Sequence, residues 1–240
     1  MFDEEPVYVN KISPNDRRLV EEMTAVHDWS YDRFRHVIIS LGILGEGVAV
    51  PGFNRPDLVH VRGIKPYVDS LARATAQNGS EYSQSILVDK HERCLVMGKI
   101  RKGDGKSVPI DTRAAPGKTG VQVFVGGIHT HPGAELAHGF SPTDYKSLLT
   151  DKRYQIGIMS YGQDQIMMAL KTSATPNNQR EETVAVRLAT IEADFLRSNR
   201  GVDFIRLIDF NKQVCAEFGL TLYMNGTNGG DLLKRIEVTT

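Results

Sequence analysis

The spacing of apolar residues changes rhythm several times along the chain. After Pro14 and Asn15, apolar positions running through Met23 and Val26 recur at helical spacing, and a second run from Tyr31 to Leu41 stops at Gly42. A loop rich in glycine and proline follows from Gly45 to Pro56 and marks a boundary. Leu58–Val61 then reads as a strand. Pro66 opens a helix carrying Val68, Leu71, Ala72 and Ala76 and closed by Asn78-Gly79. Two apolar runs, Ser85–Val88 and Cys94–Ile100, flank the polar turn Asp89–Arg93 and predict a hairpin. From Lys102 to Thr119 the pattern is that of a loop, with one short strand near Val108–Ile110. Val121–Val125 alternates into Gly126-Gly127-Ile128-His129-Thr130-His131, a short helix spans Pro142–Leu149, and Ile156–Tyr161 and Ile166–Lys171 form a second hairpin. A linker, Ser173–Gln179, leads to helices Glu181–Leu196 and Val202–Phe218. Gly219 stops the second, and a short strand follows at Leu220–Met224.

Strands and helices alternating through the middle third predict an α/β (α+β) chain, a mixed sheet sandwiched by helices. The rhythm divides it into an N-terminal helical extension, 1–56, a core, 57–175, and a C-terminal helical extension, 176–240. At 240 residues the chain is long enough to bury a core without staples. Its 29 basic and 29 acidic side chains cancel, so the electrostatic footprint of a nucleic-acid partner is missing. No apolar run reaches the ~18–20 residues of a membrane helix. The acidic start Met-Phe-Asp-Glu-Glu-Pro does not read as a secretory leader, so a cytoplasmic location is expected. Two cysteines, Cys94 and Cys215, make neither a disulfide framework nor a cysteine metal site. Any metal must therefore be held by histidine and carboxylate, and three of the seven histidines fall within ten residues.

Those three lie in or beside His129-Thr130-His131-Pro132, which is followed by Ser141-Pro142-Thr143-Asp144. Residues i and i+2 of a strand face the same way, so two imidazoles one residue apart can hold one ion from one side. Pro132 ends that strand. Asp144, on the first turn of the next helix, offers an oxygen. Two histidines and a carboxylate with a fourth position left for water is a catalytic zinc (Zn2+) arrangement rather than a closed structural one. Each half has an ordinary reading alone: a polar strand end, and a helix start with serine at the N-cap, proline at N1 and an acid at N3. Their conjunction is what points to chemistry.

The conjunction resembles the signature of the JAMM (JAB, or MPN+) zinc metalloproteases: His-Ser/Thr-His-Pro, a spacer, Ser-x-x-Asp, and a glutamate upstream. The resemblance covers residues 57–172, and the family comprises deubiquitinases and bacterial relatives. It implies a JAMM/cytidine-deaminase-like fold, zinc on His129, His131 and Asp144, Glu81 as the general base that passes a proton to the leaving amine, and Ser141 as a donor to the developing oxyanion. Glu81 fits because it follows the first core helix and heads a strand; Glu46 and Glu92 fit less well. The spacer Gly133–Phe140 is longer than the family's usual one, which makes Glu135 and His138 rival ligands to Asp144. The implied activity is hydrolysis of an isopeptide or peptide bond at the C-terminus of a ubiquitin-like protein or its conjugates. The alternatives are a peptidase acting on a sulfur-carrier, cell-wall or phage-related peptide, a non-catalytic scaffold of the same fold, and a nucleic-acid hydrolase, which the balanced charge disfavours. The extensions 1–56 and 176–240 are left to bind the substrate protein, form a homodimer, or cover the sheet.

Three further patterns carry no function. Lys102-Gly-Asp-Gly-Lys-Ser107 lacks the first glycine of a phosphate loop, since position 100 is Ile100, and Asp104-Gly105 reads as a turn. Asn78-Gly79-Ser80 and Asn225-Gly226-Thr227 match a glycosylation pattern, which is expected to carry no meaning because the start does not read as a secretory leader. Trp29 is assigned to packing among the N-terminal helices.

Overall fold

The computed structural model describes residues 7–11, 58–61, 64–89, 94–104, 107–114, 116–132, 139–161, 164–172, 174–176, 179–198, 204–226 and 229–238. Nine strands form one sheet: β1 (Val7–Lys11), β2 (Leu58–His60), β3 (Tyr82–Asp89), β4 (Cys94–Lys102), β5 (Gln122–His131), β6 (Ile156–Tyr161), β7 (Gln165–Leu170), β8 (Thr221–Gly226) and β9 (Gly229–Ile236). Four helices accompany them: α1 (Lys65–Asn78), α2 (Pro142–Thr150), α3 (Glu181–Ser198) and α4 (Phe204–Phe218). The strand order is β1-β4-β3-β5-β6-β7-β8-β9-β2, and every neighbouring pair is antiparallel except β5 and β6. A parallel pair needs a crossover, and α2 supplies it. The mixed α/β class is therefore as the pattern predicts.

Alternation along the central strands sorts side chains into two cores. On one face Ile64, Val68 and Leu71 of the α1 region pack with Ile86, Val125, Ile128, Ile158 and Met168. Thr75 continues the buried stripe at the next helical turn, while Ala76 is exposed. On the other face Phe124, Met159, Met167 and Leu222 meet Tyr145 and Leu148 of α2, Leu188 and Phe195 of α3, and Val214 and Phe218 of α4. Strand β6 is buried along its whole length, as a strand covered on both faces must be.

The structure departs from the sequence reading in three places. Val7–Lys11, the described part of the N-terminal extension, is a strand on β4 rather than helix. Val7-Tyr8-Val9 has the β-branched and aromatic composition that strands favour. The helices expected between residues 14 and 42 lie outside the described residues. The segment 107–114 joins no strand; Pro109 cannot donate to a ladder, and its carbonyl instead accepts the Ser83 hydroxyl at 2.7 Å. The C-terminal extension is not only helical. Its strands β8 and β9 carry the sheet onward from β7, and β2, at the start of the expected core, pairs only with β9 among the described residues. The sheet thus crosses the expected boundary at 175/176. Among the described residues no helix is long and apolar enough to cross a membrane.

Candidate metal centre

Strand β5 ends beside the start of α2, where the parallel β5–α2–β6 unit places strand C-termini and a helix N-terminus together, a usual place for ligand sites in α/β sheets. Ser83 pairs with His129 across β3 and β5, so the antiparallel register sets Glu81 level with His131, one step past the ladder. Residues opposite one another share a face. Glu81, Ser83, His129 and His131 therefore occupy one side, while Thr130 points to the other. There its hydroxyl lies 2.5 Å from that of Thr75 on α1 and accepts the Tyr82 N–H at 3.0 Å, tying down the strand between the histidines.

Asp144 is aimed by the helix start itself. Ser141 caps α2 by accepting the Asp144 N–H at 3.2 Å, and Asp144 Oδ2 accepts the Ser141 N–H at 2.7 Å, a reciprocal capping box. The Ser141 hydroxyl also donates to Oδ2 at 2.7 Å. The carboxylate so fixed stands with Oδ1 3.3 Å from His129 Nε2 and Oδ2 3.6 Å from His131 Nε2. Burial disfavours its charge, but the two imidazoles outweigh that and hold it well below the ordinary carboxylate range. Burial raises the carboxyl of Glu81, which is 7% exposed; His131 and His129 oppose the rise, and Asp144 and Asp104 add to it. The Glu81 backbone is held by Gly103 and Asp104, whose N–H and carbonyl it engages at 2.8 and 2.9 Å.

Aromatic residues wall the site. The Phe140 ring centroid lies 5.7 Å from that of His129 and 5.4 Å from that of Tyr145. Two glycines pair across β5 and β6 here: a Cβ on Gly157 would sit in ordinary contact with Phe140 at 3.4 Å, whereas one on Gly127 would collide with Ile110 at 2.7 Å. Phe140 is held from behind by Asn211 on α4, whose Oδ1 accepts its N–H at 3.2 Å.

The donor set fits a divalent cation. One ligand atom from each of His129, His131 and Asp144 lies within 4.8 Å of the others. Ligands at ~2.0–2.1 Å around a tetrahedral zinc stand roughly 3.4 Å apart, close to the two histidine–carboxylate distances. His129 is 3% exposed; its Nδ1 makes no hydrogen bond, and its Nε2 meets the Asp144 carboxylate only at the 3.3 Å ion-pair distance. A buried imidazole in that state is costly unless something else binds it. Two nitrogens and one oxygen suit zinc and other first-row divalent ions.

Of the residues singled out by the sequence, His129, His131, Asp144, Ser141 and Glu81 converge here. Glu46, Glu92, Glu135 and His138 lie outside the described residues. Gly105, where a turn was expected, lies outside the described residues; beside it Asp104 Oδ1 accepts the Ser107 N–H at 2.8 Å. The sequence reading missed Thr75, Phe140 and Asn211. Only Asn211 left a signal, as a polar residue within the apolar stripe of Leu207, Val214, Cys215 and Phe218. No family model, no curated protein and no solved structure matches this chain.

Proposed function

We propose that the chain is a zinc-dependent metallopeptidase of the JAMM type, which hydrolyses an isopeptide or peptide bond at the C-terminus of a ubiquitin-like protein. The observation that carries the reading is one face on which His129, His131 and Asp144 stand within 4.8 Å while a buried carboxyl, Glu81, lies level with His131. When bound, zinc supplies Lewis acidity that polarises a carbonyl and brings the pKa of water toward ~7. His129, His131 and Asp144 hold the ion. Glu81, whose carboxyl burial raises from its ordinary value, accepts the water's proton and returns it to the departing amine. Ser141 donates a hydrogen bond to Asp144 in the resting arrangement, and rotation of that hydroxyl toward the substrate makes it a donor to the developing oxyanion. The Phe140 wall lowers the dielectric around the histidines and strengthens each of these interactions.

The test is cleavage of ubiquitin-like proteins fused at their C-termini to a reporter, run beside peptidoglycan fragments and with a zinc chelator. Chelator-sensitive release of the reporter is expected. Hydrolysis of the fragments alone would move the substrate class. Activity indifferent to chelation would overturn the zinc mechanism.

A further inference from the structure

Asn211 is fully buried on α4, far in sequence from the motif that brings the metal ligands together. A leucine would suit the stripe it shares with Val214, Cys215 and Phe218, because a buried amide is costly unless its hydrogen bonds are made. They are made. Oδ1 accepts from the Phe140 N–H at 3.2 Å and the Tyr145 hydroxyl at 2.7 Å, and Nδ2 donates to the Leu207 carbonyl at 2.9 Å. The partners of Oδ1 bracket the working segment: Phe140 immediately precedes the N-cap Ser141, and Tyr145 immediately follows Asp144. Gly139 is seated directly on this amide, since a Cβ there would collide with Nδ2. Tyr145 is also fully buried, with Cys215 Sγ 3.6 Å from its hydroxyl.

We infer that Asn211 is a positioning residue of the metal centre. By gripping the residue before Ser141 and the residue after Asp144, it sets the entry of α2 and so aims the Asp144 carboxylate at His129 and His131. This rests on the metal reading above, and it makes the C-terminal helix a working part of the site. Groups that orient metal ligands typically contribute 10–100-fold to metal affinity.

The experiment compares Asn211→Leu and Tyr145→Phe with wild type by zinc competition titration, by the absorption spectrum of the cobalt-substituted protein, and by melting of the metal-free protein. Phe195→Leu, in the same apolar layer but away from the ligands, serves as a control for lost stability. Asn211→Leu is expected to bind zinc ~10–100-fold more weakly with altered cobalt bands. Tyr145→Phe should shift the same way by less, and Phe195→Leu should melt lower yet keep wild-type zinc affinity. The inference is overturned if both Asn211→Leu and Tyr145→Phe fold and match wild type in affinity and cobalt bands, or if Phe195→Leu loses as much affinity as Asn211→Leu. Should Asn211→Leu fail to fold, Tyr145→Phe decides: weakened zinc binding at wild-type melting supports the inference, and unchanged binding refutes it. A wild-type chain that takes up no zinc would overturn the metal reading itself, a result distinct from these.

Discussion

Replacing Lys171 by methionine probes the end of α2 opposite to the metal ligands. Lys171 is 1% exposed, and its ammonium donates to the carbonyl of Asp151, the C-cap of α2, at 2.9 Å. A cation suits a helix C-terminus, but burial disfavours it and pushes the pKa down from 10.5 to about 8, with Asp151 opposing the fall. The unfolded chain keeps this proton up to about 10.5 and the native chain releases it near 8, so between those values the unfolded state binds more protons and stability rises with pH. At 1.36 kcal/mol per pH unit, the buried charge costs about 3 kcal/mol below pH 8. From pH 7 to pH 9 the wild type should therefore gain about 1.3 kcal/mol relative to Lys171→Met. Other buried groups act in the opposite sense. The Cys215 thiol, pushed up to about 12 by burial, keeps its proton in the native state and so weakens folding above pH 9. Such terms are common to both proteins and cancel in the difference. The assay is urea unfolding of both proteins at half-unit steps across this range. Stability curves that run parallel would show that Lys171 does not carry a buried charge.

Three more substitutions separate binding, positioning and packing. Glu81→Gln should retain zinc and substrate while turnover falls by ~10²–10⁴, checked by steady-state kinetics beside metal analysis. Ser141→Ala removes the cap of α2 and the hydroxyl donor to Asp144, so unfolding titrations should show a loss of about 1 kcal/mol, and competition titration should show weaker zinc. Gly126→Ala should cost ~1–3 kcal/mol in the same unfolding assay. Its Cβ would lie 2.6 Å from the Ile156 carbonyl, a backbone atom that moves only by parting β5 from β6.

Where the candidate site depends on short-range spacing, the sequence was informative. His129 and His131 at i, i+2 before Pro132, and Ser141 three residues before Asp144, follow from strand alternation and helix capping, which are local rules. Helix α1 and the hairpin of β3 and β4 were legible for the same reason. Strand β9 was not, because only Leu233 is fully buried along it and the adjacent Leu232 and Leu233 interrupt the apolar–polar alternation of its sequence. The pairing of β2 with β9 joins residues far apart in the chain and leaves no periodic trace. The same holds for Thr75 behind Thr130. These contacts are set by which elements become neighbours once the sheet is assembled, and a C-terminal segment expected to be an appendage proved to complete the sheet and to touch the site.

The central claim, that His129, His131 and Asp144 hold a catalytic metal, meets its most direct test in zinc content. Wild-type protein and the variants His131→Ala and Asp144→Asn would be purified under identical conditions and analysed for bound metal, with circular dichroism to establish folding. The account predicts one zinc per wild-type chain and folded variants that hold none or bind it at least ~10²-fold more weakly. Wild-type protein that takes up no zinc, or variants that retain it undiminished, would contradict it.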